Sequence, residues 1–298
     1  MMTTTTPHGI AYRLRKGIRL GLTYLAMSLL AIFFLFPIVF MLVSSFKNNE
    51  TQVLIDMSTL YAFVPRGELG LQNYADVFAQ LDFGQLMINS VLIVGVTVFG
   101  GLVINSMMAY ALARLRFRGR DLLLGVVVAL IIIPFEAVAI PLLLVVNRLP
   151  WLGGATTWLD TYHVQIIPFI ADAFSIFLFY QFFINLPKDL EEAAFVDGAG
   201  VFRIFWNIVL PLSRPVFATV AILQFITHWG DFLWPLMVTR GPGVRPLMIG
   251  MQQFFGLDPK IWGDIMAFAS MITVPVLIIF LLFQKWFVQS VASTGIKG

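Results

Sequence analysis

The sequence predicts an all-α membrane domain of six transmembrane helices, with a helix-turn-helix loop between the fourth and the fifth. Three observations carry this. Hydrophobic residues make up 59% of the 298 and charged residues 12%, whereas a soluble domain has about 25% charged residues; mean hydropathy is +0.89. Six apolar runs reach the ~20 residues needed to cross a hydrocarbon core. Between the fourth and fifth runs the chain keeps a charged, glycine-broken stretch, EEAAFVDGAGVFRIFWNIVLPLSRP over 191–215, where a bare connector needs only a few polar residues.

The runs cover 20–46, 87–113, 121–146, 163–185, 215–239 and 265–288. The first follows a basic tail, 1–19, and far exceeds the ~7–15 residues of a signal-peptide core, so it reads as a retained anchor. Pro37, Pro134, Pro141, Pro168, Pro235 and Pro275 lie inside runs, and kinks are expected at most of them. In the second run Gly101, Asn105, Ala109 and Ala113 recur every four residues. Small residues on one helix face let backbones approach closely; the seam packs within the subunit or against a partner subunit. The outer segment 47–86 carries five acidic residues against two basic ones, and LGLQNYADVFAQLDF within it has the spacing of a short surface helix. The organisation expected is a tail over 1–19, one membrane domain over 20–290 with the special loop at 186–214, and a tail over 291–298.

Basic residues orient the chain. Arg13, Arg15, Lys16, Arg19, Arg114, Arg116, Arg118, Arg120, Lys188, Arg203, Arg214, Lys285 and Lys297 fall on one side. Lys47, Arg66, Arg148, Arg240, Arg245 and Lys260 fall on the other. The richer side is cytoplasmic, which places both termini inside and the segment Arg240 to Gly263 outside.

Cysteine is absent, which excludes disulfides, thiolate metal sites and thiol nucleophiles. His163 and His228 are far apart and lack metal-ligand spacing, so no metal is expected; His8 lies in a Thr-rich tail expected to be disordered. The chain has no Gly-x-x-x-x-Gly-Lys-Ser/Thr phosphate loop, and nothing indicates nucleic-acid binding. Glu136, Asp172 and Asp231 fall within apolar runs, where ionisable groups are expensive and function is the first hypothesis. Asp231 belongs to a tract with Gln224, Thr227, His228, Trp229 and Trp234. Aromatic planes beside hydrogen-bonding groups suit a sugar or polyol, making Glu136, Gln224, His228, Asp231 and Trp234 a possible solute path. The structural alternative is that the acids pair with neighbours or line a wet gap. No Arg or Lys lies near the middle of a run, which favours a neutral solute.

In the special loop, Pro187 suits a first helical turn, and Asp189, Glu191 and Glu192 complement a helix N-terminus. Leu190, Ala193, Ala194 and Val196 give an apolar side. Asp197-Gly198-Ala199-Gly200 supplies a left-handed stop; a second helix, Val201 to Val209, ends at Leu210-Pro211, and the chain re-enters the membrane near Pro215. Physics alone leaves two readings open, a docking surface for a partner or an interfacial anchor.

The residues Glu192-Ala193-Ala194, three others, Gly198, nine others, Ile208, one other and Leu210-Pro211 resemble the EAA loop of binding-protein-dependent ABC importer permeases at every anchor position. LQNYADVF, INSVLIV, AYALARLRFRGRD, DTYHVQIIPF, FFINLPKDLEEAAFVDGA and HWGDFLWPLMVT are similar to the carbohydrate-importer branch, the maltose-type inner-membrane subunit in particular. The resemblance runs from about residue 20 to the C-terminus. It implies an ABC importer type I transmembrane domain in a bacterial or archaeal plasma membrane. It implies a second permease subunit forming a heterodimer, two cytoplasmic ATPase subunits that bind ATP-Mg, and an extracytoplasmic solute-binding protein, for which Arg240 to Gly263 is either the docking segment or an ordinary connecting loop. The chain itself binds no cofactor and is not an enzyme. Glu192, Ala193, Ala194, Asp197 and Gly198 are then the ATPase-coupling segment, and Ile208, Leu210 and Pro211 tie it to the bundle. The alternatives are an ion-coupled secondary carrier, disfavoured by the absence of an inverted repeat, and an intramembrane enzyme, disfavoured by the absence of a catalytic constellation.

Overall fold

The computed structural model describes residues 8–151, 156–256 and 258–295. Two compact units are present, one from 1–77 and 259–270, the other from 78–258 and 271–298.

In the first unit, α1 (His8–Ser45) is a single helix, so the chain is already helical at His8, well before residue 20 and contrary to the disorder expected there. Its large apolar side chains are exposed on every side, as in a membrane-spanning helix. The outer segment is more built than foreseen. Besides the expected helix, α3 (Gln72–Gln80), it forms α2 (Glu50–Met57) and a 3₁₀ turn at Leu60–Phe63. A buried ion pair organises it: Lys47 Nζ lies 2.7 Å from Asp56 Oδ2 and donates to Tyr61 O at 2.9 Å. Arg66 joins Asp56 from the other side and stacks over the Tyr61 ring at 3.7 Å. Arg66, Lys47 and Gln52 together hold the Asp56 carboxyl well below the usual carboxylate range. Glu50 accepts from the backbone N–H groups of Trp262 and Gly263 at 2.9 and 3.1 Å, capping the start of the last helix.

The second unit is built around α4 (Phe83–Arg114), started by the Asp82 cap on Gln85 N–H. It continues with α5 (Arg120–Ile132), α6 (Phe135–Val146), α7 (Tyr162–Ile170), α8 (Ala173–Ile184) and α9 (Asp189–Val196). Next come α10 (Val201–Ile204), a π-turn at Phe205–Val209, α11 (Leu210–Leu212), α12 (Arg214–Trp229), α13 (Leu233–Val238) and α14 (Leu247–Phe255). The last helix, α15 (Trp262–Gly295), carries the backbone through most of the expected C-terminal tail. Residues 1–7 and 296–298, with Lys297, lie outside the described residues.

Leu14–Ser45, Phe83–Arg114, Tyr162–Ile184 and Trp262–Gln284 are long and apolar enough to cross a bilayer. Among the described residues two bent pairs raise the number of spans to as many as six if each pair is one span: Arg120–Ile132 with Phe135–Val146, bent by 105°, and Val201–Leu212 with Arg214–Trp229, bent by 80°. The helices stay continuous through Pro37, Pro141, Pro168, Pro235 and Pro275 and part only at Pro134. There Ile133 is extended (φ −80°, ψ 115°), the conformation a following proline imposes. Two further breaks, at Ala171-Asp172 and at Gly230 to Phe232, have no proline in them. The second helix of the special loop also departs from expectation. It runs past Leu210-Pro211 to Leu212 and stops at Ser213. Pro211 has no N–H and its ring crowds the carbonyl four residues back; the π-turn just before it, with Leu210 N–H bonded to Phe205 O, widens the helix and relieves that clash.

The seam of α4 packs inside the unit. A Cβ at Gly101 would stand 2.5 Å from Gln224 Oε1 of α12, so a side chain there would have to push the Gln224 amide aside. Asn105 Nδ2 donates to Ile170 O, and its Oδ1 accepts from Asp172 N–H, both at 3.0 Å. One side chain thus satisfies both backbone groups freed where α7 parts from α8, the condition for irregular backbone inside a membrane.

Candidate functional site

The 186–214 loop folds as a helix, a tight turn and a second helix. Lys188 precedes α9 as its N-cap, so Pro187 lies just outside the first turn. At the far end Gly198 N–H bonds Phe195 O, Ala199 N–H bonds Ala194 O, and Gly198 takes φ +80°. This is a Schellman stop that requires the left-handed conformation. Glu192, Ala193, Asp197 and Gly198 are exposed, while Ala194 packs inward. The apolar side of α9 does not turn to the core: Val196 is 87% exposed and Phe195 50%, with Phe202 beside them at 67%. Bare apolar side chains on a short helix suit either a partner's surface or the membrane interface.

What fixes α9 is Glu191, the neighbour of the residue singled out by the motif. Its carboxylate is buried, lies 2.9 Å from Arg114 Nε and accepts from Tyr110 Oη at 3.1 Å. Arg114 Nη2 also donates to Leu186 O at 2.6 Å. The last turns of α4 therefore clamp both ends of the short segment leading into α9. The second helix is held by Ile204, Phe205 and Val209, which bury against Tyr110, Phe183, Val216 and Val220; Ile208 and Leu210 pack at the edge of that cluster. Pro211 is half-buried and shapes the π-turn. Arg114 counted in the sequence only as a basic residue of a cytoplasmic loop; its spacing of four from Tyr110, on one helix face, was the available signal.

The polar residues of the apolar runs gather at the helix breaks. Asp172 Oδ2 accepts from Ser175 N–H at 2.7 Å and starts α8. Glu136 sits in the first turn of α6, just after Pro134, and Asp231 sits at the break before α13. Each carboxylate thus stands at the N-terminus of a half-helix, where the helix dipole favours negative charge. A cavity of about 510 Å³ is lined by Glu136, Asp172, Gln224, Thr227, His228 and Asp231 together with Phe135, Phe169 and Phe174. The structure therefore brings together four of the five residues expected on a solute path. Trp234 is the exception: it does not line this cavity and is fully buried, with Nε1 donating to Val164 O at 2.9 Å. Gln224 is nearly buried, its amide lodged against Gly101 and bonded to Ser175 Oγ at 3.1 Å. The outer segment after Thr239 is pinned rather than loose. Asn89 donates to Gly243 O and Arg245 O, and Asp160 accepts from Arg240 and Gly241 N–H; those backbone donors hold the Asp160 carboxyl below its usual range.

Comparison with known proteins agrees with this geometry. The chain is 34% identical over 268 residues to the arabinooligosaccharides transport system permease protein AraQ of Halalkalibacterium halodurans, covering 88% of this chain and 91% of that one. It is 31% identical over 278 residues to the trehalose/maltose transport system permease protein MalG of Thermococcus litoralis, covering 91% and 94%. The sn-glycerol-3-phosphate transport system permease protein UgpE of Yersinia pestis is 32% identical over 214 residues, 71% of this chain and 74% of that one. Among solved structures, a bacterial ABC transporter involved in import of the acidic polysaccharide alginate has the same fold, with a TM-score of 0.74 at 22% identity over 96% of this chain and 100% of that chain. Residues 101–293, which hold the α9 loop and the cavity, match the family of binding-protein-dependent transport system inner membrane components, and the chain belongs to that family.

Proposed function

We propose that this chain is the permease subunit of an ATP-driven ABC importer, forming half of the translocation path for a neutral sugar or polyol. The observation that carries the reading is α9: an exposed apolar helix whose base is locked to α4 by the Arg114–Glu191–Tyr110 cluster. In this reading two cytoplasmic ATPase subunits bind ATP-Mg, and α9 sits in a socket on one of them. Glu192, Ala193, Asp197 and Gly198 face that partner. A second, non-identical permease subunit completes the path, an extracytoplasmic binding protein delivers the solute, and both termini are cytoplasmic, as the excess of Lys and Arg on one side supports.

The geometry supplies a transmission. A push on α9 reaches Arg114 and so the α4 rod. Asn105 lies nine residues back along it, roughly 14 Å at 1.5 Å per residue. There α4 holds the broken backbone at Ile170 and Asp172, and at Gly101 it abuts Gln224. Asp172 and Gln224 both line the large cavity, so movement of one rigid helix changes the walls of the solute path. Coupling needs an element whose position differs between two global states; in this reading α4 is that element. The cavity has aromatic faces and hydrogen-bonding groups but no Lys or Arg, which supports a neutral solute; two of the relatives named above are permeases for sugars.

The test is uptake of a panel of labelled sugars into vesicles. Transport that requires ATP, the ATPase pair, the second permease and the binding protein together is expected. Uptake by this chain alone refutes the reading.

A further inference from the structure

A second, smaller cavity lies in the same unit and shares two residues with the large one. It offers about 20 Å³ and is lined by Ser90, Val94, Gln165, His228 and Asp231 among others. A water needs about 10–15 Å³ of such space and between two and four polar partners. The space is therefore right for one water and far too small for a sugar ring.

Gln165 is only 4% exposed. Its Nε2 donates to Val244 O at 2.9 Å, while its buried Oε1 has no partner among the described residues. A buried amide oxygen is rarely left bare. Ser90 Oγ accepts from Leu247 N–H at 2.8 Å, which leaves its hydroxyl hydrogen free to donate. Asp231 and His228 add a carboxylate and an imidazole to the lining.

We propose that this cavity binds a single ordered water, received by Gln165 Oε1 and shared with Ser90, His228 and Asp231. The water has a place in the mechanism. Gln165 and Ser90 also hold the outer segment through Val244 and Leu247, and His228 and Asp231 also line the large cavity. The water is thus the hydrogen-bonded joint between the outer segment and the solute path, a consequence that rests on the solute-path reading above; the water site itself does not.

Val94→Ile tests the site because it adds one methylene to the cavity wall and touches none of these hydrogen bonds. Displacing a water strands Gln165 Oε1, so the thermal midpoint of the assembled transporter in nanodiscs is expected to fall by about 2–4 °C. In a Gln165→Met background the stranded oxygen is gone and the same substitution is expected to cost much less. A Val94→Ile variant that is unchanged or stabilised identifies a dry void being filled, and an equal fall in both backgrounds identifies simple overpacking; either overturns the site. Should the variant not assemble, high-resolution density for the wild-type transporter decides: one water peak within hydrogen-bond distance of Gln165 Oε1 is expected, and its absence overturns the proposal. Sugar uptake separates the two claims. Reduced uptake in Val94→Ile, recovered in the double variant, supports the joint. Unchanged uptake alongside the expected stability shift refutes the joint and leaves the water site standing.

Discussion

Removing one partner of the clamp under α9 should destabilise the protein far more than removing both. In Arg114→Met the Glu191 carboxylate stays buried without its cation. The two side chains are 6% and 10% exposed, so solvent screens little of the loss. Breaking such a pair costs about 3–5 kcal/mol, and Leu186 O loses its donor for about another 1 kcal/mol. Tyr110 still donates to Glu191, which places the expected total near the lower end of the sum, ~4 kcal/mol. At about 2–4 °C per kcal/mol for a domain of this size, the midpoint falls by roughly 8–16 °C. In the double variant Arg114→Met/Glu191→Leu both charges are gone and apolar side chains fill the space; such replacements are often neutral or stabilising. The expected midpoint is then within about 8 °C of wild type, the remaining losses being the partners of the Tyr110 hydroxyl and of Leu186 O, worth about 1 kcal/mol each. The assay is thermal unfolding of the assembled transporter, with ATP hydrolysed per solute moved as a second readout, which should rise in Arg114→Met as α9 loosens. A single variant as stable as wild type, or a double variant that falls by the sum of both singles, refutes the clamp.

Three further outcomes follow from the same structure. Asn105→Leu should strand the carbonyl of Ile170 and the N–H of Asp172, costing about 1–3 kcal/mol for each group; a loss of assembled protein on gel filtration is expected, and wild-type yield and melting behaviour would remove Asn105 from this role. Gly198→Val forces a β-branched residue to φ +80°, a backbone conformation that costs such a residue about 1–3 kcal/mol. Assembly should survive while ATP-driven uptake is lost, and wild-type uptake would refute the hinge. Asp56 is held below its usual range, so its contribution to stability is fully present above an unfolded carboxylate's pKa of about 3.9 and is lost only as pH falls below that through the folded value. Asp56→Asn should therefore melt earlier than wild type from pH 8 down to 5, with the gap closing below about pH 4. A gap that already closes between pH 7 and 5 contradicts the depressed carboxyl.

Much of this architecture is legible in the chain because lipid imposes a simple rule: long apolar runs with polar interruptions. The runs, the helix-stop-helix at 189–209 and the small-residue seam on α4 follow from local pattern; that the seam packs inside the unit does not. The parts that were not legible depend on pairing at a distance. Asp172 reads as an expensive acid in a membrane, yet it caps a half-helix whose parted backbone is held by Asn105, 67 residues away. Asp56 and Lys47 read as loop charges, yet they form the buried centre of the outer segment. Glu191 was hidden by its neighbour: the motif points to Glu192, which faces outward, and only the α4 contacts reveal which of the two is the anchor. Trp234 shows the reverse error, since an indole beside an acid suits a sugar equally well whether it faces a cavity or, as here, a core.

The absence of native cysteine makes a single-cysteine experiment clean. Val196→Cys places one thiol at an exposed point of α9, where the native side chain is 87% exposed. If α9 is the element through which a separate ATPase drives this permease, a membrane-impermeant maleimide should label that thiol only in inside-out vesicles. Added ATPase subunits should protect it, and ATP should change the degree of protection. Labelling from the outside of intact cells, or labelling indifferent to the ATPase, contradicts the account.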